Sequence, residues 1–385
     1  MVKRWPRLAL GSPARPCAGD SGAGPLRRMT VVWVWSRSGR EKGEASGMDL
    51  SSGIDPSREL FLAEKPSVPR TTDAANVWIQ DNGGEIGFRL GVETITELWA
   101  TPPIWVDIAF ASGRVLSLRK QVDAVSPLAA DGRPTIRGAG GMRFQCIEPF
   151  KRWSVSYEGP AEETTAANLQ SEVFPGQPPM AHVRLNLELQ MVVPAFASGS
   201  LIASAESVQA EVNSFLSPRY EQLCRVVGEL RIGSETHVIA GNGLRIRRQG
   251  VREYAGFWGH CWQSAVFPSG RGFGFNTYPP IDGKETYNEG YVFAGDGPLM
   301  AARASRVPWL TALTTGGDDV SFVLETAEGS VAVQGVTFVN TRERRASVLP
   351  EDFPIIQQAH ARYTWDGEET VGMIERSSKP SVLGI

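Results

Sequence analysis

The sequence predicts an all-β protein of two consecutive antiparallel barrels or strongly curved sheets, joined by a short helix. Three observations predict it. From Asn76 onward apolar residues recur at every second position, with turn residues about every 8 to 12 positions. Strand-like segments, about ten per half, repeat on either side of a helix candidate at 204–216. Closing a sheet into a barrel is how an all-β chain of this kind covers its strand edges.

Residues 1–47 are expected to lie outside the fold. They are rich in Arg, Gly, Pro and Ser, lack periodicity, and carry nine Lys/Arg against three Asp/Glu, a net of +6. The apolar run MTVVWVW at 29–35 leads straight into Ser-Arg-Ser-Gly-Arg, not into the small-residue cleavage site of a signal peptide. We expect a disordered, dispensable extension created by start-site choice, with Met48 or Met29 as alternative starts. Residues 48–75 read as a leader, 76–203 as the first β domain, 204–219 as the connector and 220–385 as the second domain.

Within the first half, WVDIAFASGRVLSLRK (105–120) reads as a hairpin around Ser112-Gly113. MRFQCIEPFKRWSVSYEG (142–159) reads as two strands broken at Pro149. HVRLNLELQMVV (182–193) puts Val183, Leu185, Leu187, Leu189 and Met191 on one face, and His182, Arg184, Asn186, Glu188 and Gln190 on a solvated one. SAESVQAEVNSFL (204–216) spaces Val208, Val212 and Phe215 or Leu216 as a helix does, and Pro218 stops it. The second half repeats the strand rhythm through TVGMIERSS at 370–378.

Composition narrows the function classes. The net charge is −3, which leaves −9 for residues 48–385 and gives no case for nucleic acid or an anionic membrane surface. No apolar run reaches the roughly 18 residues that span a bilayer. Cys17, Cys146, Cys224 and Cys261 are too far apart in sequence for a zinc ribbon or a redox pair, and read as reduced, buried thiols of a cytoplasmic protein. The four histidines are dispersed, and neither a metal constellation nor a cofactor is expected. Phosphate-loop, dinucleotide, HExxH and GxSxG patterns are lacking.

The densest convergence of polar and aromatic groups is GNGLRIRRQGVREYAGFWGHCWQSAVFPSGRGFGF at 241–275. With the preceding strand, YEQLCRVVGELRIGSETHVIAGNGLRIRRQGVREY (220–254) resembles the second-half signature of the two-domain lipocalin-like superfamily. That group holds carotenoid 1,2-hydratase, AttH-like and kievitone-hydratase-like proteins and lipocalin-like Diels–Alderases. Gln222, Gly241, Gly243, Arg245, Gly250, Arg252 and Glu253 match its motif; PFKRWSVSYEG (149–159) and VGMIERSS (371–378) add to the likeness, which spans roughly Asn76–Ser378. Where the superfamily has Asp-His-Ser-Trp, this chain has Ile246, Arg247, Arg248 and Gln249. The likeness implies an apolar cavity with a few polar groups, but the chain lacks an acid at that position.

Hydration, isomerisation or cyclisation of an isoprenoid-like, steroid or polyketide molecule needs an acid, aromatic faces for a developing cation, and exclusion of water. Glu253 is the carboxyl nearest the missing aspartate; it stands either as a proton donor or as an ion-pair partner of Arg252 or Arg245. Tyr254 points to the opposite side of the strand. His260 lies between Trp258 and Trp262 at spacing two, so the three share a face, inward or outward. Asp107, Glu289 and Glu375 are the other acids within strands. Expected cavity liners are Trp258, Trp262, Phe273, Phe275, Tyr278, Tyr287, Tyr291 and Trp309. The expected activity is cofactor-independent acid–base chemistry on a hydrophobic small molecule; the alternative is a carrier of such a molecule without chemistry.

Overall fold

The computed structural model describes residues 47–385 except 204–209, 211–214, 217, 255 and 344–352. Residues 1–46, nearly all of the segment expected to be disordered, and most of the helix candidate at 204–216 therefore lie outside the described residues. Eleven strands make the first sheet: β1 (Thr71–Asp81), β2 (Ile86–Ile95), β3 (Pro103–Phe110), β4 (Arg114–Gln121), β5 (Ile136–Ala139), β6 (Met142–Glu148), β7 (Arg152–Thr165), β8 (Met180–Met191), β9 (Phe196–Ala197), β10 (Arg219–Ile232) and β11 (Glu235–Val251). They pair antiparallel in the order β4-β3-β2-β1-β11-β10-β8-β7-β6-β5, with β9 on β10. Arg114–Ser117 of β4 also pair with Glu162–Thr165 of β7, which closes eight of the strands into a ring. Eight further strands form a second closed barrel in sequence order: β12 (Gly259–Val266), β13 (Gly272–Thr277), β14 (Asn288–Phe293), β15 (Met300–Ser305), β16 (Phe322–Thr326), β17 (Gly329–Arg342), β18 (Ile355–Trp365) and β19 (Glu368–Ser378).

The hairpin around Ser112-Gly113 is β3–β4, and the alternation of 182–193 is β8, buried at Val183, Leu185, Leu187, Leu189 and Met191. The sheets divide later in the chain than the helix candidate at 204–216 suggested. β10 and β11 belong to the first ring: Cys224 stands against Met191 of β8, and Val77 of β1 against Arg245 of β11. The second barrel begins only at Gly259. Alternation identifies a strand and its faces but not its partner, so the boundary expected at 204–219 moves to 252–258. The stretch read as a leader also contains structure: a 3₁₀ turn at Pro56–Glu59 and the start of β1.

Parity settles which way each strand faces. Cys261 and Ala265 join Phe273, Phe275, Phe322 and Tyr363 inside the second barrel. Trp262 and Val266 of the same strand face outward, and pack with Trp78, Leu223, Leu244, Ile246, Tyr291 and Met373 into a core between the two barrels. Each large side chain buried there contributes about 2 kcal/mol of hydrophobic stabilisation. The barrels are thus welded by outward-facing residues, and the polar groups on those faces are buried with them.

Candidate functional site

β12 and β19 pair so that His260 lies opposite Ser377, and Glu375 is two residues along on the same face. His260 is 3% exposed. Its backbone N–H donates to Ser377 Oγ at 3.0 Å, and its Nδ1 is 2.6 Å from the same oxygen. Its Nε2 is 3.2 Å from Glu375 Oε1. In the neutral ring, Ser377 donates to Nδ1 while Nε2–H donates to Glu375, which satisfies every group. Burial alone would raise the Glu375 pKa, but the hydrogen bond from His260 and the charge of Arg89 bring it down to about 2. Gln358 Nε2 donates to Glu375 Oε2 at 3.3 Å and to Glu343 Oε2 at 3.0 Å. Ser377 is wholly buried and its oxygen already accepts the His260 N–H, so its hydroxyl is not presented as a nucleophile.

An aromatic cluster abuts the imidazole. Phe257 and Tyr278 have ring centroids 5.3 and 6.4 Å from that of His260. Phe257 stacks on Phe215 at 4.0 Å and lies 5.4 Å from Phe353. Tyr254 meets Phe215 and Phe353 edge-on, and Tyr287 and Trp258 both meet Tyr278. The Tyr254 hydroxyl accepts from Arg252 Nη1 at 3.3 Å, and burial pushes its pKa up. Arg252 in turn donates to Glu93 at 3.1 Å. A cleft of about 460 Å³, lined among others by Arg342, Glu343, Phe353 and Ile356, borders the aromatic cluster at Phe353 and Ile356.

The structure thus brings His260, Tyr254, Trp258, Tyr278 and Tyr287 to one cluster. Glu253 stands apart from it, half-exposed and paired with Arg70. Phe273 and Phe275 pack on Phe322 inside the second barrel, and Trp309 lies against that core. Trp262 and Tyr291 belong to the core between the barrels, where Trp262 Nε1 donates to Glu221 at 3.0 Å. Of the motif residues, Gly241 and Gly243 let β11 run close to β1: a Cβ on Gly241 would fall 2.0 Å from the Gln80 carbonyl oxygen, and one on Gly243 2.6 Å from that of Trp78. A Cβ on Gly250 would meet the Pro218 ring at 2.7 Å. Arg245 is fully buried on Glu59 at 2.8 Å, and Arg247, at the departure from the motif, is fully buried on Asp73. Sequence reasoning named Glu375 only as one acid among several and missed Ser377, Glu343 and Arg89. The usable signal was the shared parity of Glu375 and Ser377 in the closing segment. Among the described residues, no group of three or more His, Cys, Asp or Glu is placed to hold a metal ion, and no helix is long and apolar enough to cross a membrane.

The two-domain lipocalin-like fold expected from the segment 220–254 is shown by solved structures. An AttH protein from Nitrosomonas europaea is 13% identical over 80% of this chain and 92% of its own, with a TM-score of 0.50. CghA in complex with Sch210972 is 9% identical over 86% of this chain and 97% of its own, also at 0.50. Kievitone hydratase from Nectria haematococca aligns over the same shares at 9% identity and 0.45. No curated protein matches the sequence. Residues 74–380 match the family described as "Domain of unknown function (DUF7064)", and the chain belongs to that family.

Proposed function

We propose that this protein is a cofactor-independent enzyme that moves protons on a hydrophobic small molecule, of the hydratase, isomerase or cyclase type. The observation that carries the reading is His260, fixed by Ser377 and Glu375 with its ring against Phe257 and Tyr278. A substrate proton passed to the Ser377 oxygen, as its own O–H proton moves to His260 Nδ1, leaves an imidazolium that the ionised Glu375 at Nε2 stabilises, and the buried setting strengthens that effect. The aromatic faces nearby suit a cation developing on an apolar substrate. Tyr254 and Tyr278 shape the wall, and Glu253 is left out of the proton-transfer set. That CghA holds Sch210972 supports a small molecule as the occupant of this fold.

The test works with an unidentified substrate. A cellular lipid extract is incubated in D₂O with the wild-type protein and with His260→Ala, and searched by mass spectrometry for compounds gaining deuterium at carbon or the elements of D₂O. The wild type labels at least one compound, and the variant labels it about 100-fold more slowly. No labelling by the wild type, or equal labelling by the variant, refutes the reading. A carrier without chemistry is the second reading. It is favoured by Ile246, which stands where the superfamily has its aspartate, and by the neighbouring Arg247, which is consumed by Asp73 and the Leu60 carbonyl. It predicts a co-purifying lipid of unchanged mass in both proteins.

A further inference from the structure

Three strands of the first ring carry an unused set of hydrogen-bond donors on the face turned to the second barrel. Register puts Trp105 of β3 opposite Gly91 of β2 and Arg119 of β4, while Arg89 lies opposite Asp107. With no side chain on Gly91, the indole lies over it; a Cβ there would sit 2.0 Å from the Trp105 ring. The guanidinium carbons of Arg89 and Arg119 lie 5.2 and 5.8 Å from the Trp105 ring centroid. Both arginines converge on Glu343: Arg119 Nη1 is 2.7 Å and Arg89 Nη2 3.7 Å from its carboxylate. Glu343 lines the cleft of about 460 Å³.

Trp105 is 6% exposed, yet its Nε1–H has no partner among the described residues, and neither has Arg89 Nη1 or Arg119 Nη2. Buried donors are almost always paired, because an unpaired one forfeits its hydration without return. Three on one face, beside a cleft, point to a missing acceptor. The charges nearby identify its kind. Glu343, Glu375 and Asp107 already outnumber Arg89 and Arg119, so another anion is disfavoured and a neutral oxygen is favoured.

We propose that Trp105 Nε1, Arg89 Nη1 and Arg119 Nη2 form a polar subsite that receives a ketone-type carbonyl or a hydroxyl oxygen of the hydrophobic ligand. The subsite rests on the reading of the region around His260 and Glu375 as a small-molecule site, but it concerns binding and is tested apart from turnover. Isothermal titration of the full chain compares 2-acetylnaphthalene with 2-ethylnaphthalene, which share a frame and differ in the carbonyl. The ketone binds about fivefold more tightly, the worth of one good hydrogen bond. Trp105→Phe and Arg119→Met each cut that preference to under about twofold while leaving the affinity for 2-ethylnaphthalene within about twofold. Either variant suffices if the other does not fold. Equal binding of the two compounds, a preference that survives in the variants because water alone fills the donors, or binding of neither compound overturns the subsite. Deuterium labelling that persists when the ketone preference fails leaves the catalytic reading standing, and the converse also holds.

Discussion

Glu59 organises the interior of the first ring. Its Oε1 accepts from Arg245 at 2.8 Å and from the Tyr220 hydroxyl at 2.5 Å; its Oε2 accepts from Trp153 Nε1 at 2.7 Å and from the Phe150 N–H at 3.1 Å. Burial works against the charged form, but the Arg245 charge and these donors prevail and hold the carboxyl below its usual range. Removing the carboxylate leaves the buried Arg245 charge with the Gln222 amide oxygen but no counter-ion, which is among the costliest single changes a core can suffer. Glu59→Ala is expected to lower the free energy of unfolding by about 3 to 5 kcal/mol in urea titration, and Glu59→Gln, which keeps the shape and an acceptor, by less. An unchanged midpoint for Glu59→Ala refutes this. Nothing in the sequence marked Glu59, because it lies in an aperiodic stretch and its partner is 186 residues away. Arg245 was legible as a motif residue, and its physical task was not.

At the scale of strands, the sequence carried what repeats and lost what pairs. The alternation of β8 and the shared parity of His260 and Trp262 were both legible, since a strand's faces follow from its own residues. That this parity points away from the second barrel's interior depends on Cys261, Ala265 and the aromatic residues of β13, and needs the closed sheet. The same limit hid the site: Glu375 and Ser377 reach His260 only because β19 closes onto β12 across more than a hundred residues. Glycines on the facing strands are the steric counterpart. A Cβ on Gly87 of β2 would lie 2.2 Å from the His360 ring of the second barrel. Gly87→Ala is therefore expected to push the two sheets apart locally and to cost about 2 kcal/mol, read as a lower thermal midpoint. A midpoint equal to wild type would show that His360 moves aside freely.

At the scale of the whole molecule, the junction between the barrels is expected to lose stability in acid. His360 is 4% exposed, lies 5.7 Å from Trp78 between ring centroids, and its Nδ1 faces the Gln80 amide nitrogen at 2.9 Å. That nitrogen donates, so the ring must be neutral at Nδ1. Burial pushes its pKa down from 6.5 to about 3. A histidine whose pKa is depressed by folding gives stability that is complete above the unfolded value and is lost as pH falls, because the unfolded chain binds the proton first. Between pH 6.5 and 4.5 this one group withdraws about 2 to 3 kcal/mol. Glu375, held at about 2 against 4.5 unfolded, adds its loss only below pH 4.5, since its carboxylate is what the fold stabilises. The two windows are therefore separable. Urea midpoints at pH 7.5, 6.0 and 4.5 fall for the wild type; in His360→Gln they start lower and fall less over the same interval. An equal slope in the variant would place the acid sensitivity elsewhere than at the contact between Gln80 and His360, and with it the idea that this junction sets the molecule's response to pH.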